Sequence, residues 1–138
     1  MKISFIGAGS VAFTTAVLSD LTTYPAFSNA EICLMDIDEY HLSKVRECVE
    51  YIKRERKVDM KITATTSREE ALTGSDGVVI TVFNGDVDVW QHEILIPKKY
   101  GVDINVGDTR SVSGIFRALR NIPLMIDICK DILIIAIF

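Results

Sequence analysis

Lys2-Ile3-Ser4-Phe5-Ile6-Gly7-Ala8-Gly9-Ser10-Val11-Ala12 is the stretch whose reading decides the fold. Residues 2 to 6 are short, apolar and β-compatible, and glycines follow at once, which predicts a buried strand running into a tight turn. A helix is predicted from about Ser10, carrying Val11, Ala16, Val17, Leu18 and Leu21. It must stop before Pro25, because the residue ahead of a proline is pushed out of helical angles. Gly7 to Ala12 fits Gly-x-Gly-x-x-Gly/Ala in the one context that gives the pattern meaning, after a strand and at the opening of a helix. On this reading Gly7 permits the turn, Gly9 lets a diphosphate approach the backbone, and Ala12 allows the helix to lie close to the strand. The amides opening the helix at Ser10 and Val11 then face the phosphates, helped by the positive end of the helix.

A second strand is predicted over Ala30-Glu31-Ile32-Cys33-Leu34-Met35-Asp36, ending in a carboxylate. Asp36 falls 24 residues beyond Ala12, where an acid accepts both ribose hydroxyls of adenosine and repels a 2′-phosphate, so NAD is favoured over NADP. Further along, Phe83-Asn84-Gly85 follows an apolar strand at the place where such folds pass the nicotinamide side of the cofactor. The expected cofactor-binding set is therefore Gly7, Gly9, Ser10, Val11, Asp36 and Asn84. A glycine turn without a ligand, and Asp36 as a neighbour of a helix cap, are the plain alternatives.

The rest of the chain alternates in the same way. Asp38 is placed to cap a helix with Leu42, Val45, Val49 and Ile52 on one face and charged residues on the others. Lys61 to Thr65 reads as a third strand, and Ser67 with Glu70 as a capping box opening a short helix that Gly74 ends. Gly77 to Val82 reads as a fully buried fourth strand. A helix is expected over Val89 to Lys99, interrupted at Pro97, then an extended piece at Val102 to Val106 and a turn at Gly107-Asp108-Thr109. A longer helix should run from Ile115 to about Asp131, bent or restarted at Pro123, with Ile132 to Phe138 as a fifth buried strand. Strands alternating with helices at this spacing imply an α/β, Rossmann-type fold, a parallel sheet with helices on both faces. Residues 1–138 are read as one NAD-binding domain.

Composition narrows the function classes. The 138 residues are 49% hydrophobic and 25% charged with a net charge of -4, a globular composition with no basic block to neutralise nucleic acid. No apolar run reaches the roughly 18 residues needed to cross a bilayer, and the glycines interrupt the N-terminal apolar run too early for a secretory segment. A soluble, cytoplasmic protein is expected. Cys33, Cys48 and Cys129 are widely spaced and suggest neither disulfide nor zinc. His41 and His92 have no ligand partner at helical spacing, so no metal site is expected. The Lys53 to Lys57 run reads as a wet helix end, and Trp90 and Phe116 as core.

Gly107-Asp108-Thr109 followed by Gly114-Ile115-Phe116-Arg117-Ala118-Leu119-Arg120-Asn121-Ile122-Pro123 resembles glycoside hydrolase family 4, the NAD- and manganese-dependent α-galactosidases, α-glucosidases, α-galacturonidases and 6-phospho-glycosidases. The likeness extends through Gly7 to Ser10, Asp36-Ile37-Asp38 and Ile96-Pro97-Lys98-Lys99-Tyr100-Gly101. What the resemblance implies is glycoside cleavage by redox steps: hydride leaves C3 of the sugar for NAD, the C2 proton is removed, the C1 substituent is eliminated, water adds and hydride returns. It also implies a divalent metal at the sugar oxygens, a glycoside substrate and a homo-oligomer. It places Asp108 in the loop facing the sugar, as a catalytic candidate for substrate binding or proton transfer, with a plain turn role as the alternative. Arg110-Ser111-Val112-Ser113 stands where the family has a glycine-rich run. The Asn-Pro segment and the manganese-binding Cys and His of the family lie outside this sequence. The chain is thus read as the NAD-binding part without the metal and catalytic domain, with little activity expected of it alone. The rival readings are the cofactor domain of a malate- or lactate-type dehydrogenase and a non-catalytic nucleotide-binding or oligomerisation module.

Overall fold

The computed structural model describes residues 1–104 and 110–136. The chain divides into two compact units, residues 1–82 with 131–138, and residues 83–130. The first unit is built on four parallel strands, β1 (Lys2–Ile6), β2 (Glu31–Met35), β3 (Lys61–Thr65) and β4 (Gly77–Ile80), in the order β3-β2-β1-β4. Helices α1 (Val11–Leu21), α2 (Glu39–Arg56) and α3 (Arg68–Leu72) connect them. This is the Rossmann arrangement expected from the sequence.

Side chains alternate across the sheet. Phe5, Ile32, Leu34 and Ile62 face the side on which Leu18, Leu42, Val45 and Val49 of α1 and α2 complete the main core. Full burial of each such side chain contributes about 1.5–3 kcal/mol. The other face carries Ser4, whose hydroxyl donates to Ala71 O of α3 at 2.7 Å. Helices therefore lie on both sides. Because α1 leads from β1 on one face and α3 leads into β4 on the other, the crevice between the carboxyl ends of β1 and β4 is the switch point of the sheet.

Local chemistry accounts for the element ends. Asp38 caps α2 by accepting from the His41 amide at 3.0 Å. Ser67 caps α3 by accepting from Glu70 N at 3.3 Å, but the return half of the capping box is diverted. Thr65 takes the Glu70 carboxylate at 2.5 Å and accepts the Ser67 amide at 3.0 Å. β4 ends two residues earlier than expected and is half-buried throughout, because the strand lies at the edge of the described sheet.

The second unit contains α4 (Val87–Lys98) and α5 (Val112–Asp131). The helix α4 starts ahead of the expected Val89 because Asp86 caps it, accepting from Val89 N at 2.9 Å. Pro97 lies one residue from its end, where the helix tolerates it. The helix α5 runs through Pro123 without a break, and its sidedness is reversed. Ser113 and Gly114 are buried and Ala118 and Asn121 half-buried, while Ile115, Leu119, Ile122 and Ile126 are each at least half exposed. Phe116 is exposed as well, so the expectation of a core role for it is corrected.

The expected fifth strand is also corrected. Residues Ile132–Ala136 form a π-helical turn, back in the first unit, where Asp131 pairs with Arg68 at 2.5 Å. No glycine or proline follows Pro123 as far as Ala136, so nothing stops the helix at Asp131, and an apolar run alone does not distinguish strand from helix.

Candidate functional site

The loop after β1 is shaped by two glycines with different duties. Gly7 has φ +87°, a conformation an L side chain resists, and an added Cβ would lie 2.8 Å from Thr81 O and 2.9 Å from a Val82 methyl. Its amide and that of Ala8 both donate to Met35 O at 2.9 Å. Thr81 closes the crevice from the β4 side: its amide donates to Ile6 O at 2.8 Å and its hydroxyl to Gly7 O at 2.8 Å. Gly9 keeps ordinary φ, but a Cβ there would lie 2.6 Å from Asp36 Oδ2. The glycine is needed for space, not for backbone freedom.

Asp36 lies at the end of β2 beside this loop. Its Oδ2 accepts the Gly9 amide at 2.6 Å, and its Oδ1 accepts the Asp38 amide at 3.0 Å. Sequence reading assigned these residues to one site, and the structure brings them into contact.

The opening of α1 differs from that of its neighbours. Ser10 is the N-cap residue, yet its side chain makes no capping bond and the first turn carries no acid. By contrast α2, α3 and α4 are capped by Asp38, Ser67 and Asp86. Amides in the first turn of a helix have no partner within it, so those opening α1 are available to an anion, as the helix dipole also favours. Ala12 is exposed, and the close fit of α1 to the sheet is made instead by the buried Thr14, whose hydroxyl donates to Ala8 O at 2.9 Å. No periodicity marked Thr14 or Thr81 in advance; their roles rest on contacts to Ala8, Gly7 and Ile6 that span turns and strands.

Asn84, the remaining cofactor candidate, lies in the second unit and is tied to α5. Its amide donates to Asn121 Oδ1 at 2.9 Å, and its side-chain nitrogen donates to Arg120 O at 2.9 Å. Asp108 lies outside the described residues. His41 is exposed and pairs with Asp38 at 2.8 Å, which, after the bond from the His41 amide, holds the Asp38 carboxyl below the ordinary carboxylate range. Among the described residues no three His, Cys, Asp or Glu side chains gather as a metal site would require, so no step through manganese is derived for this chain.

Clefts also lie elsewhere in the first unit. One of about 710 Å³ runs along α2 and β3 past Glu39, Arg46, Glu50 and Thr65. Another of about 410 Å³ lies between Thr15, Cys48 and Tyr51. Neither is lined by Gly7, Gly9 or Asp36. A dinucleotide lies across an open crevice above the strand ends, so the donor and acceptor chemistry locates the site better than enclosed volume.

The sequence pattern of the family 4 glycosyl hydrolases matches residues 2–136. The chain belongs to that family. This family 4 chain is 38% identical over 131 residues to an alpha-galactosidase of Rhizobium meliloti (strain 1021), covering 95% of the chain and 27% of that protein. It is 33% identical to an alpha-glucosidase of Erwinia rhapontici, covering 95% of the chain and 29% of that protein. Its structure superimposes on the 6-phospho-beta glucosidase of Thermotoga maritima, solved with manganese, NAD+ and glucose-6-phosphate, with a TM-score of 0.84 and 26% identity. That match covers 99% of the chain and 32% of the Thermotoga protein. The chain thus spans under a third of the length of these relatives and corresponds to the N-terminal domain of the family. No helix among the described residues is long and apolar enough to cross a membrane.

Proposed function

We propose that Gly7, Gly9, Ser10, Val11 and Asp36 seat the adenosine diphosphate half of NAD, and that the chain serves as the cofactor-binding domain of a family 4 glycosidase. The observation that carries this reading is the 2.6 Å bond between the Gly9 amide and Asp36 beside the uncapped opening of α1. The two groups that hold each other across the crevice are an amide donor and a carboxylate acceptor, the pair a ribose and diphosphate require. The first-turn amides of α1 hold the diphosphate. Asp36 accepts from the ribose hydroxyls, and its charge repels the extra phosphate of NADP. Gly7 and Thr81 keep the floor of the crevice narrow by joining β1 to β4.

When bound, NAD supplies reversible hydride acceptance, so that a glycoside can be oxidised, cleaved and reduced with no net redox change. The proposed substrates are α-linked or phosphorylated glycosides, supported by the names of the relatives. Asp108 is proposed to bind the sugar or move its proton, on the family resemblance alone. Manganese belongs to the proposal for the whole family protein and not to the residues described here. An NAD-dependent enzyme is proposed to work in the cytoplasm, where that cofactor is abundant. A homo-oligomer is also proposed, supported by the apolar outer face of α5.

Calorimetric titration of the wild type and Asp36→Ala with NAD and NADP tests the reading. Wild type is expected to favour NAD by at least tenfold, and the mutant to bind NAD more weakly with that preference reduced. Equal affinity of the wild type for both dinucleotides, or NAD binding unchanged by the mutation, would refute it.

A further inference from the structure

Three consecutive peptide units lead from β1 into the glycine loop, and each is held at both ends. The Ile6 carbonyl accepts the Thr81 amide at 2.8 Å, while the Gly7 amide at the other end of that unit donates to Met35 O at 2.9 Å. The Gly7 carbonyl accepts the Thr81 hydroxyl at 2.8 Å, while the Ala8 amide donates to Met35 O at 2.9 Å. The Ala8 carbonyl accepts the Thr14 hydroxyl at 2.9 Å, while the Gly9 amide donates to Asp36 Oδ2 at 2.6 Å. A trans peptide is planar, with its carbonyl and its N–H pointing in opposite directions, so fixing one end aims the other. In the first two units the aimed amide ends on a strand carbonyl. In the third it ends on the carboxylate that meets the ribose in the NAD reading.

Thr14 is an unusual helical threonine. Such a hydroxyl ordinarily returns to the carbonyl three or four residues back, as the neighbouring Thr15 does to Val11 O at 2.6 Å. Thr14 instead reaches six residues back, out of α1 and into the loop. Its side chain is fully buried. Without the hydroxyl the Ala8 carbonyl loses this donor, and a peptide free to turn brings an oxygen in place of an N–H toward Asp36. The carboxylate then keeps only the bond from the Asp38 amide to Oδ1, at 3.0 Å.

We infer that Thr14 is a positioning residue of the dinucleotide seat: by holding the Ala8 carbonyl it aims the Gly9 N–H at Asp36 and so fixes the carboxylate that selects NAD over NADP. The inference rests on the reading of this crevice as an NAD seat. Thr14 lies beneath the loop and acts only through that peptide.

The test uses the full 138-residue chain, with calorimetry for NAD and NADP and nuclear magnetic resonance for the Gly9 amide proton. In the wild type the short bond to a carboxylate should place that proton well downfield, and Asp36→Ala should return it to the ordinary amide range. Thr14→Val keeps the shape and removes the hydroxyl. It should move the proton the same way, weaken NAD about fivefold, the weight of one hydrogen bond, and lower the preference for NAD over NADP at least about threefold. Thr14→Ser keeps the hydroxyl and should behave as the wild type. Ser4→Ala removes a different buried hydroxyl, the one donating to Ala71 O at 2.7 Å, and should lower stability without changing the preference. A preference in Thr14→Val equal to that of the wild type, or an equal fall in Ser4→Ala, overturns the inference. A wild-type Gly9 proton in the ordinary amide range overturns it with no variant made, so the inference stays open to refutation even if Thr14→Val fails to fold. A wild type that binds neither dinucleotide overturns the cofactor reading instead, and the Gly9 proton then still reports whether Thr14 aims the peptide.

Discussion

Replacing each loop glycine by alanine separates space from backbone conformation. At Gly9 the backbone accepts an L side chain, and the atoms nearest the new Cβ are those of a carboxylate, 2.6 Å for Oδ2 and 2.9 Å for Cγ of Asp36. Asp36 can swing away, giving up a charge-assisted bond from the Gly9 amide worth about 1.5–3 kcal/mol. Water replaces part of that bond at this half-buried site, and the stiffer unfolded chain offsets about 0.4–1 kcal/mol. Gly9→Ala should therefore cost only about 1 kcal/mol of stability. Gly7→Ala faces both obstacles, a left-handed φ costing about 1–2 kcal/mol and a Cβ 2.8 Å from the backbone oxygen of Thr81. The overlap adds about 1–3 kcal/mol, for a total loss of about 2–5 kcal/mol. Urea unfolding followed by circular dichroism measures both. For the ligand the order reverses in interest: Gly9→Ala stays folded, yet its methyl occupies the approach to the first-turn amides, and NAD affinity should fall at least about tenfold, or 1.4 kcal/mol. A Gly9→Ala protein that binds NAD as the wild type does would refute the placement of the diphosphate, and a Gly7→Ala protein as stable as Gly9→Ala would refute the account of the turn.

Two further expectations concern α2. The Asp38 carboxyl is lowered first by the bond from the His41 amide and then by that from the His41 ring, so its contribution to stability is complete above the ordinary carboxylate value of 3.8 and is lost as pH falls through the lowered one. Asp38→Asn keeps a capping oxygen and removes the titration; unfolding followed from neutral pH to below pH 4 should show a shallower acid decline, and an unchanged decline would exclude Asp38 as a source. At the other end Lys57 adopts φ 55°, so Lys57→Gly should stabilise the protein by about 0.5–1 kcal/mol in chemical denaturation. A loss of stability would mean that the lysine side chain contributes more than its backbone costs.

Most of the first unit was legible because its signals are local. The turn, the helix start and the terminal acid of β2 sit in short segments whose residue types allow few alternatives, and parallel pairing follows from connections too long for hairpins. Asp38 and Ser67 were legible as caps for the same reason. The carboxyl-terminal run failed because Ile132 to Ala136 suits a buried strand and a buried helix equally, and only the missing stop after Asp131 decides. Ala12 failed because a fingerprint position says nothing about which neighbour fills the gap; Thr14 does, through a hydroxyl that no hydrophobic pattern registers. Glu93 of α4 is buried, yet nothing in its local sequence marks it. Its burial depends on Arg117 and Arg120 arriving from another helix, and the visible clue was a pair of arginines three apart on a helix otherwise rich in apolar residues.

The reversed sidedness of α5 bears on how the protein must be handled at the bench. Ile115, Leu119, Ile122 and Ile126 form an oily strip open to solvent, so environment-sensitive fluorophores that report molten states will light up with the intact native chain. Dye-based melting curves will start from a high baseline, and sulfate salts will favour precipitation.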